Sequence, residues 1–331
     1  MSFHTRLATL ALCAAITAGC KAKADGDSAA PVSTVPAAAS SSQTGQQRGG
    51  DEAPPSDQTG GFDGKRAFAH VVKQVGFGPR PSGSAAIGQL QEYIQSELTS
   101  YGCKVDVDSF SADTPVGRLP MKNIVAKIPG DKPGIIMLAT HYDTKLLPNF
   151  VGADDGGSST GVMLELARLL CAKRGAYHVW ITFFDGEEAM KEWSDADSRY
   201  GSRQMAAKMA MNGDLPKVKA FLLADIVGTR TPHFKREADS TRWLVDLVWS
   251  VAKKLGYGNI FLDESTPVSD DHDPFLKRHV PAVDVIDLQN YPGGDIYYWH
   301  TPEDTLDKVS AKSLAITGHV FLESVKQLQA K

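Results

Sequence analysis

Apolar side chains recur every three to four residues from 85 to 101, at Ile87, Leu90, Tyr93, Ile94, Leu98 and Tyr101, and Gly102 ends the run. That spacing predicts a helix, because residues three and four apart share one helical face. The period then changes to two. Val105 and Val107 alternate with Lys104, Asp106 and Asp108, the pattern of a half-buried strand over 103–108. Strands also read over 123–128, 134–140, 178–184, 218–224 and 282–286. The segment 134–140 is apolar throughout, as a strand covered on both faces must be, which places it near the centre of a sheet. Helical spacing returns over 159–173 with Val162, Leu164, Leu166, Leu169 and Leu170, over 201–211, and over 240–255 with Leu244, Leu247, Val248, Val251 and Leu255. A last amphipathic helix follows Ser310, which suits its N-cap. This alternation predicts a three-layer α/β sandwich around a central mixed, mostly parallel sheet, with the early strands of 103–128 pairing antiparallel.

The first residues break the pattern. Polar His4 and Arg6 precede an apolar run from Leu7 to Ala18, too short for the ~20 residues that span a bilayer. The run ends in Thr17-Ala-Gly-Cys20. Residues 1–20 resemble a bacterial lipoprotein signal, which implies lipidation of Cys20 and an exported, periplasmic or outer-membrane-anchored protein. A plain secretory signal cut nearby is the other reading. Residues 21–62, rich in Ala, Ser, Gly, Gln, Pro and Asp with no aromatic before Phe62, read as a disordered tether that cannot repay its ordering entropy by burial. Residues 63–331 remain for a single domain, with no internal repeat.

Composition narrows the field only a little. Thirty-five basic against 39 acidic residues give a net charge of −4, which excludes a basic nucleic-acid binder. The four cysteines, Cys13, Cys20, Cys103 and Cys171, are too few for a disulfide scaffold.

The chemistry lies where the strands stop. In open α/β sheets the site sits beyond the carboxyl ends of the strands. His141-Tyr-Asp143 follows the apolar segment 134–140, Gly152-Ala-Asp-Asp155 precedes the helix of 159–173, and Asp185-Gly-Glu-Glu188 follows 178–184. Asp225 follows 218–224, and Tyr297-Tyr-Trp-His300 lies beyond 282–286. A lone histidine in a loop or a lone aspartate before a helix is most often a hydrogen-bonding or capping residue. Several together at the ends of buried strands differ, because desolvating unpaired charge is costly. A dication would neutralise them, and Asp, Glu and His without thiolate suit a catalytic zinc with an open position. The adjacent pair Glu187 and Glu188 allows one carboxylate to hold metal while its neighbour serves as a base.

These segments resemble the M28 zinc peptidase family and, within it, the glutaminyl cyclases. The resemblance runs from about Phe77 to the end and rests on Phe77-Gly-Pro-Arg-Pro81, Asn123-Ile-Val125, His141-Tyr-Asp-Thr-Lys145, Gly152-Ala-Asp-Asp155 and Met163-Leu-Glu-Leu-Ala167. It continues through Phe183-Phe-Asp-Gly-Glu-Glu-Ala189, Trp193-Ser194, Tyr200-Gly-Ser-Arg203, Asp225-Ile-Val-Gly228, Asp270-Asp-His-Asp-Pro-Phe-Leu276 and Trp299-His-Thr301. It implies a zinc-aminopeptidase-like fold and one zinc held by Asp155, Glu188 and His300. It also implies Glu187 as general acid and base, Asp225 and Asp270 as carboxylates around the substrate amine, and Trp193, Trp299 and Tyr291 as pocket walls. The implied reaction closes the N-terminal glutamine of a peptide or protein to pyroglutamate with loss of ammonia. The alternative is a two-zinc aminopeptidase of the same family, since His141, Asp155, Glu188, Asp225 and His300 are all present. Secreted animal cyclases often carry a cysteine pair where this chain has Thr140 and Thr160, so that crosslink is absent; Cys103 and Cys171 are expected to be free and buried.

Overall fold

The computed structural model describes residues 52–288 and 297–331. Two helices, α1 (Gly64–Val75) and α2 (Ala85–Ser100), come first. Three strands follow, β1 (Lys104–Thr114), β2 (Gly117–Ile128) and β3 (Gly130–His141), then α3 (Gly157–Leu170), β4 (Gly175–Phe184), α4 (Tyr200–Asn212) and β5 (Val218–Asp225). The rest comprises β6 (Phe234–Glu237), α5 (Arg242–Lys254), β7 (Phe261–Thr266), the single turn α6 (Asp273–Leu276), β8 (Ala282–Ile286) and α7 (Ala311–Gln329). Ser310 caps α7 as expected, its hydroxyl accepting from Lys312 N and Ser313 N.

The main sheet has six strands in the order β1-β2-β4-β3-β5-β8. β1 pairs antiparallel with β2, and β2 with β4, while β4, β3, β5 and β8 run parallel. The central strand β3 is buried from Gly134 to His141. Its period of two divides it between two cores. Ile136 and Leu138 join the larger core with residues of α1, α3, α5 and α7, whereas Ile135, Met137 and Ala139 join Met205 and Met209 of α4 and Phe275 of α6. Two covered faces make three layers, and they explain why this strand carries no alternation.

Two expectations need correction. The tether was placed up to residue 62, but Ser56–Thr59 forms a turn of 3-10 helix, and Thr59 and Phe62 are fully buried. Phe62 reaches α7 at Gly318, where a Cβ would lie 2.2 Å from its ring, so only glycine admits the contact. Cys103 and Cys171, expected free and buried, are half-buried and form a disulfide, with Cα atoms 5.1 Å apart. The reason is packing. Cys103 follows the end of α2 and Cys171 caps the end of α3, and these helices lie side by side. Among the described residues no helix is long and apolar enough to cross a membrane.

Candidate active site

β3 ends on His141, β4 stops just before Asp185, and β5 ends on Asp225. The loops beyond these ends enclose a cavity of about 330 Å³. Asp155, Glu187, Glu188, Asp225, Asp270 and His300 all line it, with Trp193 and Trp299 on its walls. Tyr291 lies outside the described residues. Lys145, Ile226, Ile286 and Leu288 and the segment Pro267 to Ser269 also line it, without having been read as site residues from the sequence.

Asp155, Glu188 and His300 converge. His300 Nε2 lies 3.4 Å from Asp155 Oδ2 and 3.2 Å from Glu188 Oε1. Both of these carboxylate oxygens are buried without a well-formed hydrogen bond. Unsatisfied buried anionic oxygens are costly, and one cation between them and the imidazole would satisfy all three, so the donors fit a zinc ion. A second triad shares Asp155: His141 Nε2 lies 3.2 Å from Asp155 Oδ1 and 3.0 Å from Asp225 Oδ1. Each triad places its donor atoms within 4.8 Å of one another.

The loops that carry these groups are held by other buried carboxylates. Asp143 accepts from Glu187 N at 3.1 Å and Glu188 N at 3.2 Å, which orients the adjacent pair. Asp304 accepts from Asp154 N at 2.8 Å and Asp155 N at 3.0 Å. Asp154 in turn accepts from Gly228 N at 2.8 Å and from the Tyr298 hydroxyl at 2.7 Å. Gly156 turns with φ 73°, and a Cβ there would meet Asp143 O and the His141 ring, each at 2.9 Å. Fully buried Arg80 donates to Val151 O at 2.7 Å and Gly152 O at 3.1 Å, pinning the loop before Asp155. His300, with φ 53°, stacks on Trp299 at 4.0 Å between ring centroids. Lys145 Nζ lies 3.2 Å from Glu188 Oε2, which leaves Oε1 facing His300. Asp143, Asp154 and Arg80 stand inside recognisable motifs, yet only the fold shows what they hold. Asp304 carries no sequence signal beyond its nearness to His300.

The charges are tuned by burial and by one another. Burial pushes Glu187 well above the usual carboxylate range; His141 opposes this, while Glu188, Asp270 and Asp271 add to it. Burial and the Asp225 charge push Asp270 up to about 7. Burial disfavours a charged His300, but the Asp155 and Glu188 carboxylates outweigh it and raise the imidazole to about 9. Asp155 is drawn down despite its burial, by His141 and His300. Such a cluster of perturbed groups in one cavity marks a functional site.

Residues 123–325 match the family model for peptidase family M28. The chain belongs to peptidase family M28. Within M28 it falls in the glutaminyl cyclase branch. It is 36% identical over 261 residues to a mouse glutaminyl-peptide cyclotransferase-like protein, covering 68% of this chain and 66% of that protein's length. The solved glutaminyl cyclase of an Acidobacteriales bacterium superposes with a TM-score of 0.77 at 41% identity, covering 81% of this chain and 95% of the other. A zinc-dependent exopeptidase from Parabacteroides distasonis superposes with a TM-score of 0.72 at 29% identity, over 79% of this chain and 97% of that one. The family accounts for a mixed sheet that delivers carboxylates and histidines to one end.

Proposed function

We propose that this M28 protein is a zinc-dependent glutaminyl-peptide cyclotransferase that acts on peptides and proteins beginning with glutamine. The observation that carries the reading is the convergence of Asp155, Glu188 and His300 beside Glu187 in a cavity walled by Trp193 and Trp299. One zinc per chain, held by those three donors, supplies Lewis acidity toward the substrate amide oxygen. Glu187 accepts a proton from the α-amine as its nitrogen bonds to the side-chain carboxamide carbon, Cδ, then delivers it to the departing nitrogen, which leaves as ammonia when the Cδ–N bond breaks. Asp225 and Asp270 face the same cavity and orient the amine. Asp270, held protonated up to about 7 by burial and by Asp225, can exchange a proton near neutrality. Nucleophile and electrophile belong to one residue, so the protein's task is to select the folded side chain and stabilise charge. Indole walls favour ring closure by leaving little room for a hydrolytic water.

One observation favours a second reading, a two-metal aminopeptidase: the triad of His141, Asp155 and Asp225 beside the first. The two separate cleanly. Purified protein is assayed with a glutamine-initiated peptide, following ammonia, and with leucyl substrates, while metal is counted per chain. Ammonia release with one zinc supports the cyclase. Leucine release with two zincs overturns it.

The apolar run and Cys20 support an exported protein, periplasmic or held at the outer membrane, whose one link to a membrane is a lipid on that cysteine. Labelling with a radioactive fatty acid tests this. The label should appear on the chain and vanish in Cys20→Ala.

A further inference from the structure

We propose that Arg199 is a positioning residue that ties together two walls of the substrate cavity and thereby sets how tightly a peptide N-terminus is held. The inference rests on the cyclase reading for its substrate, not for its geometry. One wall is the segment after Glu188 that carries Trp193, and the other is the segment from Pro267 to Asp270. Arg199 is only 2% exposed and lies between them. Its Nη1 donates to Ser269 Oγ at 2.6 Å and to the Asp273 carboxylate, and its Nη2 donates to Asp195 Oδ1 at 2.5 Å. Ser269 itself donates to Asp273 Oδ2 at 2.7 Å, closing a small ring of bonds. The guanidinium carbon lies 5.3 Å from the centroid of the Trp193 ring, within cation–π range.

The backbone of Arg199 is engaged as well. Its N–H donates to Glu187 O at 2.7 Å. Its φ of 52° lies in the left-handed region, which a residue with a Cβ enters only when its surroundings over-determine it. A single residue therefore touches the segment of the base, the Trp193 wall and the Ser269 wall. The arm to Asp195 is weak, because that carboxylate is 75% exposed and shared with Lys277 at 3.2 Å. The arm to Ser269 and Asp273 is the shielded one, since the Asp273 side chain is 18% exposed. Lysine cannot replace this function, because a point charge on a flexible stem lacks the planar fork that reaches several acceptors at once.

The test compares the full-length, zinc-loaded protein with Arg199→Lys and Ser269→Ala. Arg199→Lys should raise KM for a glutamine-initiated peptide roughly tenfold with kcat within about threefold, since the walls loosen while the metal donors and the base stay in place. Ser269→Ala removes the bonds to Arg199 and to Asp273 and should raise KM about threefold, and it carries the test if Arg199→Lys does not fold. Amide hydrogen exchange should quicken in both 190–199 and 267–273. An unchanged KM in a folded variant, even with a lowered Tm, would reduce Arg199 to a structural residue and overturn the proposal, as would faster exchange in one wall alone. A parent protein that never cyclises glutamine peptides would instead overturn the cyclase reading, and the exchange measurement would still judge the strap.

Discussion

Breaking the Cys103–Cys171 disulfide should destabilise the protein without touching its chemistry. The bond closes a loop with a sequence separation of 68. In the chain-entropy treatment, a loop of that length removes ~15 cal/mol/K from the unfolded ensemble, or ~4.4 kcal/mol at 25 °C. A domain of this size loses ~2 °C of Tm per kcal/mol, so the expected fall is about 9 °C. The bond lies far from the cavity. Cys103 precedes Lys104, which pairs with Lys127 at the end of β2 where Ile128 meets Val179, while the cavity begins beyond His141 and Phe184 at the other end of the sheet. kcat/KM should therefore stay within about twofold below the melting range. The assay is urea unfolding of the parent and of Cys103→Ser/Cys171→Ser, followed by fluorescence, with peptide mass mapping after alkylation to prove the pairing. A loss below ~1 kcal/mol, with the pairing proven, would refute the entropic reasoning. Recovery of both cysteines as free thiols from native protein would refute the bond itself.

Glu187→Gln keeps shape and zinc but cannot take a proton; turnover should drop by about a hundredfold or more at unchanged metal content, and a near-normal rate would remove Glu187 as the base. His300→Ala should weaken zinc binding by an order of magnitude or more in chelator competition, and unchanged affinity would exclude it as a donor. Because His300 titrates at about 9 without metal and must be neutral to ligate, a proton competes with zinc below that pH. Zinc affinity of the stripped protein should thus climb from pH 7 towards about 9 and then level off, and a flat profile would contradict the charge arrangement. Trp193→Ala should raise KM more than it lowers Tm, since the ring is 42% exposed and has little packing to lose; a large Tm loss at constant KM would make it a packing residue. Burial works against a charged Glu237, but bonds from His272 and from Asp239 N hold its carboxyl down to about 2. Its folded value is depressed, so its stabilisation is present above the ordinary glutamate range and is lost as pH falls towards about 2. Glu237→Gln should flatten that part of the acid-unfolding curve.

The chemistry was legible because a parallel sheet makes it so: apolar strands stop, and the first polar residues after them sit at the mouth. His141, Asp185 and Asp225 follow that rule directly. Helix α1 was overlooked: Ala67, Phe68, Val71 and Val75 recur at helical spacing, but polar His70 and Gln74 share its buried face and interrupt the stripe. The pair β6 and β7 escaped because each is short and has charged residues where a strand should alternate. Spacing says nothing about the disulfide, since only the docking of α2 beside α3 brings its halves together. Asp143 stands in a strand-end cluster and Asp304 looks like a surface acid in the sequence. They hold backbone amides of the residues that face the cavity, and nothing local reveals that.

The bond from Asp155 N to Asp304 spans 149 residues, and that from Tyr298 to Asp154 spans 144. A ribosome-bound chain that ends before residue 298 therefore lacks both the latch and one donor. Metal binding by the triad of Asp155, Glu188 and His300 would then be a late event in the life of the polypeptide. A truncated product would lack the triad of Asp155, Glu188 and His300 however well its sheet had formed.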